Sequence, residues 1–192
     1  MLVTSTQHLF AHRPSVIGRM LRPLKGAVVP CHAHEKTVNQ GKILAAHDGG
    51  LRADMDYHLW RFRTLSRQLE CQYFELWKFS TDEREAYLRK AYLHLYWIDR
   101  TKRESKRILS LHAELDNEEN ADALDWRSFH MHVDGATQPI PKCHFPLTIS
   151  HDQGHTAAVI SSIDNLTAVL CSAAQALRIE VVDRYLKLDA ER

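Results

Sequence analysis

The chain predicts an α+β fold: a three- or four-stranded antiparallel β-meander, one face packed by a central and a C-terminal helix, with an irregular N-terminal arm. Three observations carry that prediction. Apolar residues recur at three- and four-residue steps over residues 55–78 and again over 162–188. Between those two runs the period switches from 3.6 to 2. No repeat, low-complexity tract or Gly/Pro/Ser-rich linker divides the 192 residues, so the length fits one domain at 51–192 plus the arm at 1–50.

In chain order, the first 30 residues hold Pro14, Pro23 and Pro30 and no sustained period, which reads as an arm with a short strand at 26–29. Residues 33–46 read as a short helix that Asp48-Gly49-Gly50 ends by supplying positions of positive φ. The helix expected at Met55–Lys78 takes Asp54 as its N-cap and carries Met55, Leu59, Phe62, Leu65, Leu69, Tyr73 and Leu76 on one stripe. Ser80 followed by Glu83 is a capping-box pattern, which opens a second, short helix to about Lys90.

Three strands follow. Leu93, Leu95 and Trp97 alternate with Tyr92, His94 and Tyr96. Leu109, Leu111, Ala113 and Leu115 alternate with Ile108, Ser110, His112 and Glu114. Phe129, Met131 and Val133 alternate with His130, His132 and Asp134. Such alternation marks strands with one buried face. The polar residues 101–105 join the first two as a hairpin, and the acidic stretch 117–125 joins the second and third. Pro139, Pro141 and Pro146 confine His144-Phe145-Pro146-Leu147 to an edge or a crossover. The last helix runs from Ser162 to about Leu188 without glycine or proline, and the β-rich Ile179-Glu180-Val181-Val182 marks a break near Arg178.

Register gives this pattern its force. Leucines of the first two strands share a face only if the paired residue numbers sum to an even value, because a one-residue slip turns every side chain over. A sum of 206 sets His94 opposite His112, and slips by two keep the same faces. His94, His112, His130 and His132 then occupy one face.

The bulk numbers exclude several classes. A formal net charge of +1 sets up no global field for nucleic acid or an anionic membrane, so such contacts require a local patch. Cys31, Cys71, Cys143 and Cys171 include no C-x-x-C pair and fit a reducing compartment. No uninterrupted apolar run reaches the roughly 18 residues of a membrane span, and Met1–His12 lacks the features of a secretory signal. A soluble cytoplasmic protein with no membrane partner is the expectation. Histidine is the outlier, with thirteen copies against seven glycines.

Two imidazoles divide general-base and general-acid work well because both titrate near neutrality. The expected catalytic set is therefore His94, His112, His130 and His132, with Arg107 stabilising a phosphate. His-x-His on a strand also supplies two ligands to one metal, with Asp134, Glu114 or His144 completing the set. Cys31, His32 and His34, with Cys143-His144, form a second zinc-like grouping that lacks regular ligand pairs; buried cysteines near surface histidines explain it more simply. Metal content and cofactor stay open. Lys102, Arg103, Lys106 and Arg107 at the hairpin tip would grip RNA or DNA phosphates if Arg61, Arg63 and Arg67 lay beside them, although a solvated charged surface is the commoner role.

Each established histidine motif is incomplete. The third histidine of a His-x-His-x-His nucleotide hydrolase is Asp134 here, and the His-x-Ser/Thr repeats of two-histidine phosphoesterases are missing. Arg107 and His112 have the Arg-x4-His spacing of HEPN ribonucleases, but on a strand instead of a helix. His130, His132, His144, Phe145 and Pro146, within residues 90–188, resemble a loosely defined group of small bacterial proteins found in toxin–antitoxin or anti-phage defence neighbourhoods. The resemblance implies a conflict-system role and transfers no catalytic assignment. Two functions follow as expectations: a histidine-based phosphodiesterase acting on RNA, or a non-catalytic subunit that binds a larger effector or a second copy of itself.

Overall fold

The computed structural model describes residues 2–38, 41–49, 59–114, 130–133, 143–146, 148–151, 154–157 and 162–191. It is mixed helix and strand, built on a curled antiparallel sheet with a long C-terminal helix. The acidic stretch 117–125, Asp54, Asp134, Pro139 and Pro141 lie outside the described residues.

The N-terminal segment is the first correction. Instead of an irregular arm it forms β1 (Val3–Ser5), α1 (Thr6–Met20) and the single turn α2 (Arg22–Lys25). Ser5 caps α1 by accepting a hydrogen bond from the His8 amide at 3.1 Å. The buried stripe runs Leu9, Arg13, Ile17, Met20 and continues through Leu21 and Leu24. A charge at its centre and Pro14 inside the helix broke the apolar period that would have announced it. Gly26 closes α2 at φ 81°, a left-handed position that favours glycine.

Three segments expected to be helical are strands or turns. In place of the expected helix at 33–46, β2 (Cys31–Val38) pairs antiparallel with β3 (Gly41–Ala46). In the described part of the expected Met55–Lys78 helix stand β4 (Phe62–Arg63) and β5 (Leu69–Phe79), and residues 55–58 lie outside the described residues. β3 and β5 are buried on both faces, so apolar residues occur at every phase and three-residue spacings arise by accident. Ser80 closes a hairpin instead of capping a helix: its hydroxyl accepts from the Glu85 amide at 3.1 Å and donates to Asp82 at 2.7 Å. β6 (Glu85–Asp99) therefore starts well before Tyr92.

β7 (Glu104–Glu114), β8 (His130–Val133) and β9 (Cys143–Pro146) follow. The described strands form a nine-stranded sheet of order β2-β3-β5-β6-β7-β8-β9, with β1 on β6 and β4 on β5, against the three or four expected. β9 ends the order, as its proline requires. β10 (Thr148–His151) and β11 (Gly154–Ala157) make a separate hairpin. The chain ends in α3 (Ile163–Leu177), a π-helical stretch (Arg178–Val182) and α4 (Asp183–Ala190), one continuous run. The break expected near Arg178 is thus a widened turn. Arg178 holds it, donating to the Pro23 carbonyl at 3.2 Å and to Asp183 at 2.5 Å.

The run Ile163–Ala190 is long and apolar enough to cross a membrane by length and composition. Its apolar side is occupied, however. Leu166, Leu170, Ala174, Leu177 and Val182 are buried in one core with Leu9 and Ile17 of α1 and with Tyr73, Leu93, Leu95 and Leu111 of the sheet.

The β6–β7 register resolves a conflict between turn and core. The hairpin pairs Asp99 with Glu104 and Tyr96 with Arg107, a sum of 203. Continued unbroken, that odd register would turn Leu109 and Leu111 away from the core. A bulge at Ile108 adds one residue, after which Leu95 pairs with Leu109 and Leu93 with Leu111, a sum of 204. His94 therefore faces Ser110 and Tyr92 faces His112, two residues away from the pairing expected at 206. The parity stands. The bulge also turns Arg107 to the side of Tyr96.

Candidate functional site

The sheet face opposite α1 and α3 carries the histidines. Its register forms two adjacent cross-strand rows. One is His32–Ala45–Phe74–Tyr92–His112–His130–Pro146. The other is Gln72–His94–Ser110–His132–His144. All four expected histidine positions, His94, His112, His130 and His132, stand in these rows, and Arg107 joins them through its pairing with Tyr96.

His94 is the best-defined member. It is 7% exposed, and its Nδ1 lies 3.1 Å from Gln72 Oε1. A carbonyl oxygen has no proton to give, so Nδ1–H donates to it, and the neutral ring keeps its basic lone pair on Nε2. Tyr96 donates its hydroxyl to the same Oε1 at 3.2 Å, which fixes the amide from a second side. Gln72 thus sets both tautomer and ring orientation.

Aromatic contacts extend the array along the row. The Tyr92 ring lies 5.3 Å from that of His94 and 5.2 Å, edge to face, from that of His112. Phe74 stacks on Tyr92 at 4.9 Å and belongs to a small cluster with Ile43, Ala45 and Trp60. This second apolar cluster keeps the upper face partly dry, which strengthens the polar contacts inside it.

Positive charge enters at the Tyr96 end. The Arg61 guanidinium stacks 3.7 Å over the Tyr96 ring, with its Nε buried and without a hydrogen-bond partner among the described residues. Arg107 is exposed opposite the same tyrosine. Arg100 also reaches the Arg67 carbonyl at 3.1 Å, so the hairpin tip and the 61–67 segment are neighbours. Of the two basic groups identified in the sequence, Arg61 and Arg107 share Tyr96 as a neighbour, and Arg61, Arg63 and Arg67 are not on a helix.

His47 sits just past β3, 5% exposed. Its Nδ1 accepts from the Gly49 amide at 2.8 Å, and its ring lies 4.9 Å from His32 and 5.3 Å from Trp60. Burial first, then His32, lowers its pKa from 6.5 to about 4; Lys25 adds to the shift and Asp48 opposes it. The folded protein thus resists a proton that the unfolded chain takes up near pH 6.5. Stability from this group is complete above about 6.5 and is lost as the pH falls through about 4. Urea unfolding across that window is expected to show roughly 2 kcal/mol of pH-dependent loss that His47→Gln removes.

Within the Cys31/His32 grouping, the two described side chains stand on opposite faces of β2. Cys31 packs against the helix-side core, where burial and then Glu75 raise its thiol, whereas His32 pairs with Ala45 on the other face. Cys143-His144 is at the opposite end of the strand order. Among the described residues no three His, Cys, Asp or Glu side chains gather as a metal site.

Gln72 and His47 were not anticipated from sequence. Gln72 fell inside the expected helix, on a strand buried on both faces that gives no single period. Comparison of the chain with family models, with curated proteins and with solved structures finds no match.

Proposed function

We propose that the chain is a histidine-dependent phosphodiesterase acting on RNA, in the setting of a bacterial conflict or defence system. The observation that carries this reading is the Gln72-oriented His94 beside the Arg61–Tyr96–Arg107 cluster, on the face that also holds His112. A neutral imidazole with a fixed Nε2 lone pair is a competent general base for a ribose 2′-hydroxyl. His112, two rings along through Tyr92, would return a proton to the departing 5′-oxygen. The guanidinium groups of Arg107 and Arg61 would stabilise charge on the non-bridging oxygens as the phosphorus is attacked. RNA is chosen as substrate because it alone carries the 2′-hydroxyl this chemistry uses. His130 and His132 extend the same rows and belong to the same proposed face.

The test is cleavage of end-labelled single-stranded RNA by the purified chain. Cleavage should yield cyclic phosphate ends, and His94→Gln and His112→Gln should each lower turnover by about 10²–10⁴. A wild-type protein without activity, or variants as active as wild type, would sink the reading. Absence of activity together with stoichiometric co-purification of one partner would support the non-catalytic subunit instead.

A further inference from the structure

We propose that the Ser110 hydroxyl binds the scissile phosphate, donating a hydrogen bond to a non-bridging oxygen between His94 and His112. The assignment rests on the acid–base reading of those two histidines and adds the group that holds the phosphodiester between them. Ser110 is 2% exposed, and its Oγ is buried without a hydrogen-bond partner among the described residues. A hydroxyl taken out of water without a partner destabilises the fold, and alanine fills the same position without that cost. A serine in this place therefore points to a partner that comes from outside the chain.

The register says where that partner lies. Ser110 stands directly opposite His94, and His112 follows it by two residues on the same face of β7, opposite Tyr92. Opposed positions carry Cβ atoms about 4.5–5.5 Å apart, and diagonal positions stand about 7–8 Å apart. His94 and His112 form one diagonal of this four-residue patch, and Tyr92 and Ser110 form the other. The Tyr92 ring contacts both imidazoles, at 5.3 Å and 5.2 Å, so its corner is filled. Ser110, with one atom beyond Cβ, is the short corner and the floor between base and acid. A phosphodiester that spans from His94 to His112 brings a non-bridging oxygen over it.

The surroundings fix the chemical class. Phosphate oxygens only accept, which suits a hydroxyl that needs an acceptor. Arg107 at the ladder position opposite Tyr96, and Arg61 over the Tyr96 ring, supply the balancing charge nearby. Tyr92 and His112 are half-buried and form the rim, while His94 and Ser110 lie deeper, where a hydrogen bond to a desolvated oxygen is stronger. His47 Nε2 and Arg61 Nε are also buried without a partner among the described residues. His47 lies past β3 against His32 and Trp60, and the Arg61 charge already has Glu70 at 4.0 Å. Of the three, Ser110 is the one that stands between the two imidazoles.

The experiment compares the full chain, wild type and Ser110→Ala, in three measurements. Calorimetry reads binding of a short single-stranded DNA, which offers phosphates but no 2′-hydroxyl to deprotonate. Ser110→Ala should weaken it by about 10–100-fold, the range of a hydrogen bond to a charged group. RNA cleavage is then read with each phosphorothioate diastereomer at the scissile linkage. The variant should lose about 10–100-fold in kcat/KM on one diastereomer and less than about threefold on the other, where poorly accepting sulfur replaces the contacted oxygen. Thermal unfolding should show the variant at least as stable as wild type, because an unpaired buried hydroxyl has been removed. DNA binding that is absent, or unchanged by Ser110→Ala, would overturn the assignment. Equal losses on both diastereomers, or a lowered unfolding temperature, would do the same. Ser110-dependent binding without RNA cleavage would keep Ser110 as a phosphate ligand and remove the phosphodiesterase reading alone. RNA cleavage with Ser110-independent binding would do the reverse.

Discussion

Replacing Glu75 with alanine is expected to cost about 3–5 kcal/mol of folding stability. Glu75 stands at a core position of β5, fully buried, beneath α1 and α3. Arg13 of α1 meets it through Nη2 at 2.6 Å and Nε at 3.1 Å, and its Nη1 reaches Thr167 of α3 at 2.5 Å. The Tyr73 hydroxyl and the Trp77 indole, the latter at 3.0 Å, donate to the same carboxylate. Burial works against the Arg13 charge, yet Glu75 and Tyr73 outweigh it and hold the guanidinium above its ordinary pKa. Removing the carboxylate leaves a buried cation and two buried donors without their acceptor, and each is costly. The double variant Arg13→Met/Glu75→Leu should recover most of the loss, because it removes the charges together. Urea unfolding of the single and double variants checks both halves. A Glu75→Ala chain within about 1 kcal/mol of wild type would mean that the cluster does not hold the helices to the sheet.

The same cluster explains why half of the fold was hard to read in the sequence. Arg13 interrupts the stripe of α1, and Glu75 interrupts the alternation of β5, each at the position that faces the core. A charged residue at a core position is informative only when its partner is known, and here the partner is 62 residues away. The strands that were legible, β6 and β7, have one apolar and one polar face, which is the case alternation detects. The C-terminal helix was legible because its stripe is unbroken and Ser162 caps it, accepting from the Asn165 amide at 3.1 Å. The parity rule for β6 and β7 was also sound. What it lacked was the turn: Asp99 gathers the Thr101 and Lys102 amides, at 2.9 and 3.1 Å, and so fixes an odd register that the bulge at Ile108 must undo.

That bulge joins fold to site. Core packing demands the even register, the turn imposes the odd one, and the residue that reconciles them carries Arg107 to the histidine face. The arginine is therefore placed by the energetics of leucine burial on the opposite side of the sheet. His94 and His112 could be assigned to a common face from the leucines alone. Gln72 could not, since β5 is buried on both sides and gives no single period.

Gln72 is where the second large effect is expected. Gln72→Leu removes the acceptor that stands 3.1 Å from His94 Nδ1 and 3.2 Å from the Tyr96 hydroxyl. The imidazole is then free to exchange tautomers, and the ring with its lone pair on Nε2 is no longer favoured. RNA cleavage is expected to fall by about 10²-fold in kcat with little change in KM, because the step lost is proton abstraction and not binding. Gln72→Glu keeps an acceptor for Nδ1–H and adds a negative charge beside the ring. It should retain most of the activity while moving the acidic limb of the pH–rate profile upward, since a carboxylate favours the protonated imidazole. A purely structural Gln72 would behave differently: Leu and Glu would both lower the unfolding temperature, and the pH profile of the folded fraction would stay where it is. A Gln72→Leu chain with unaltered kcat and an unmoved profile would remove Gln72 as a positioning residue, and with it the observation that marks His94 as the base.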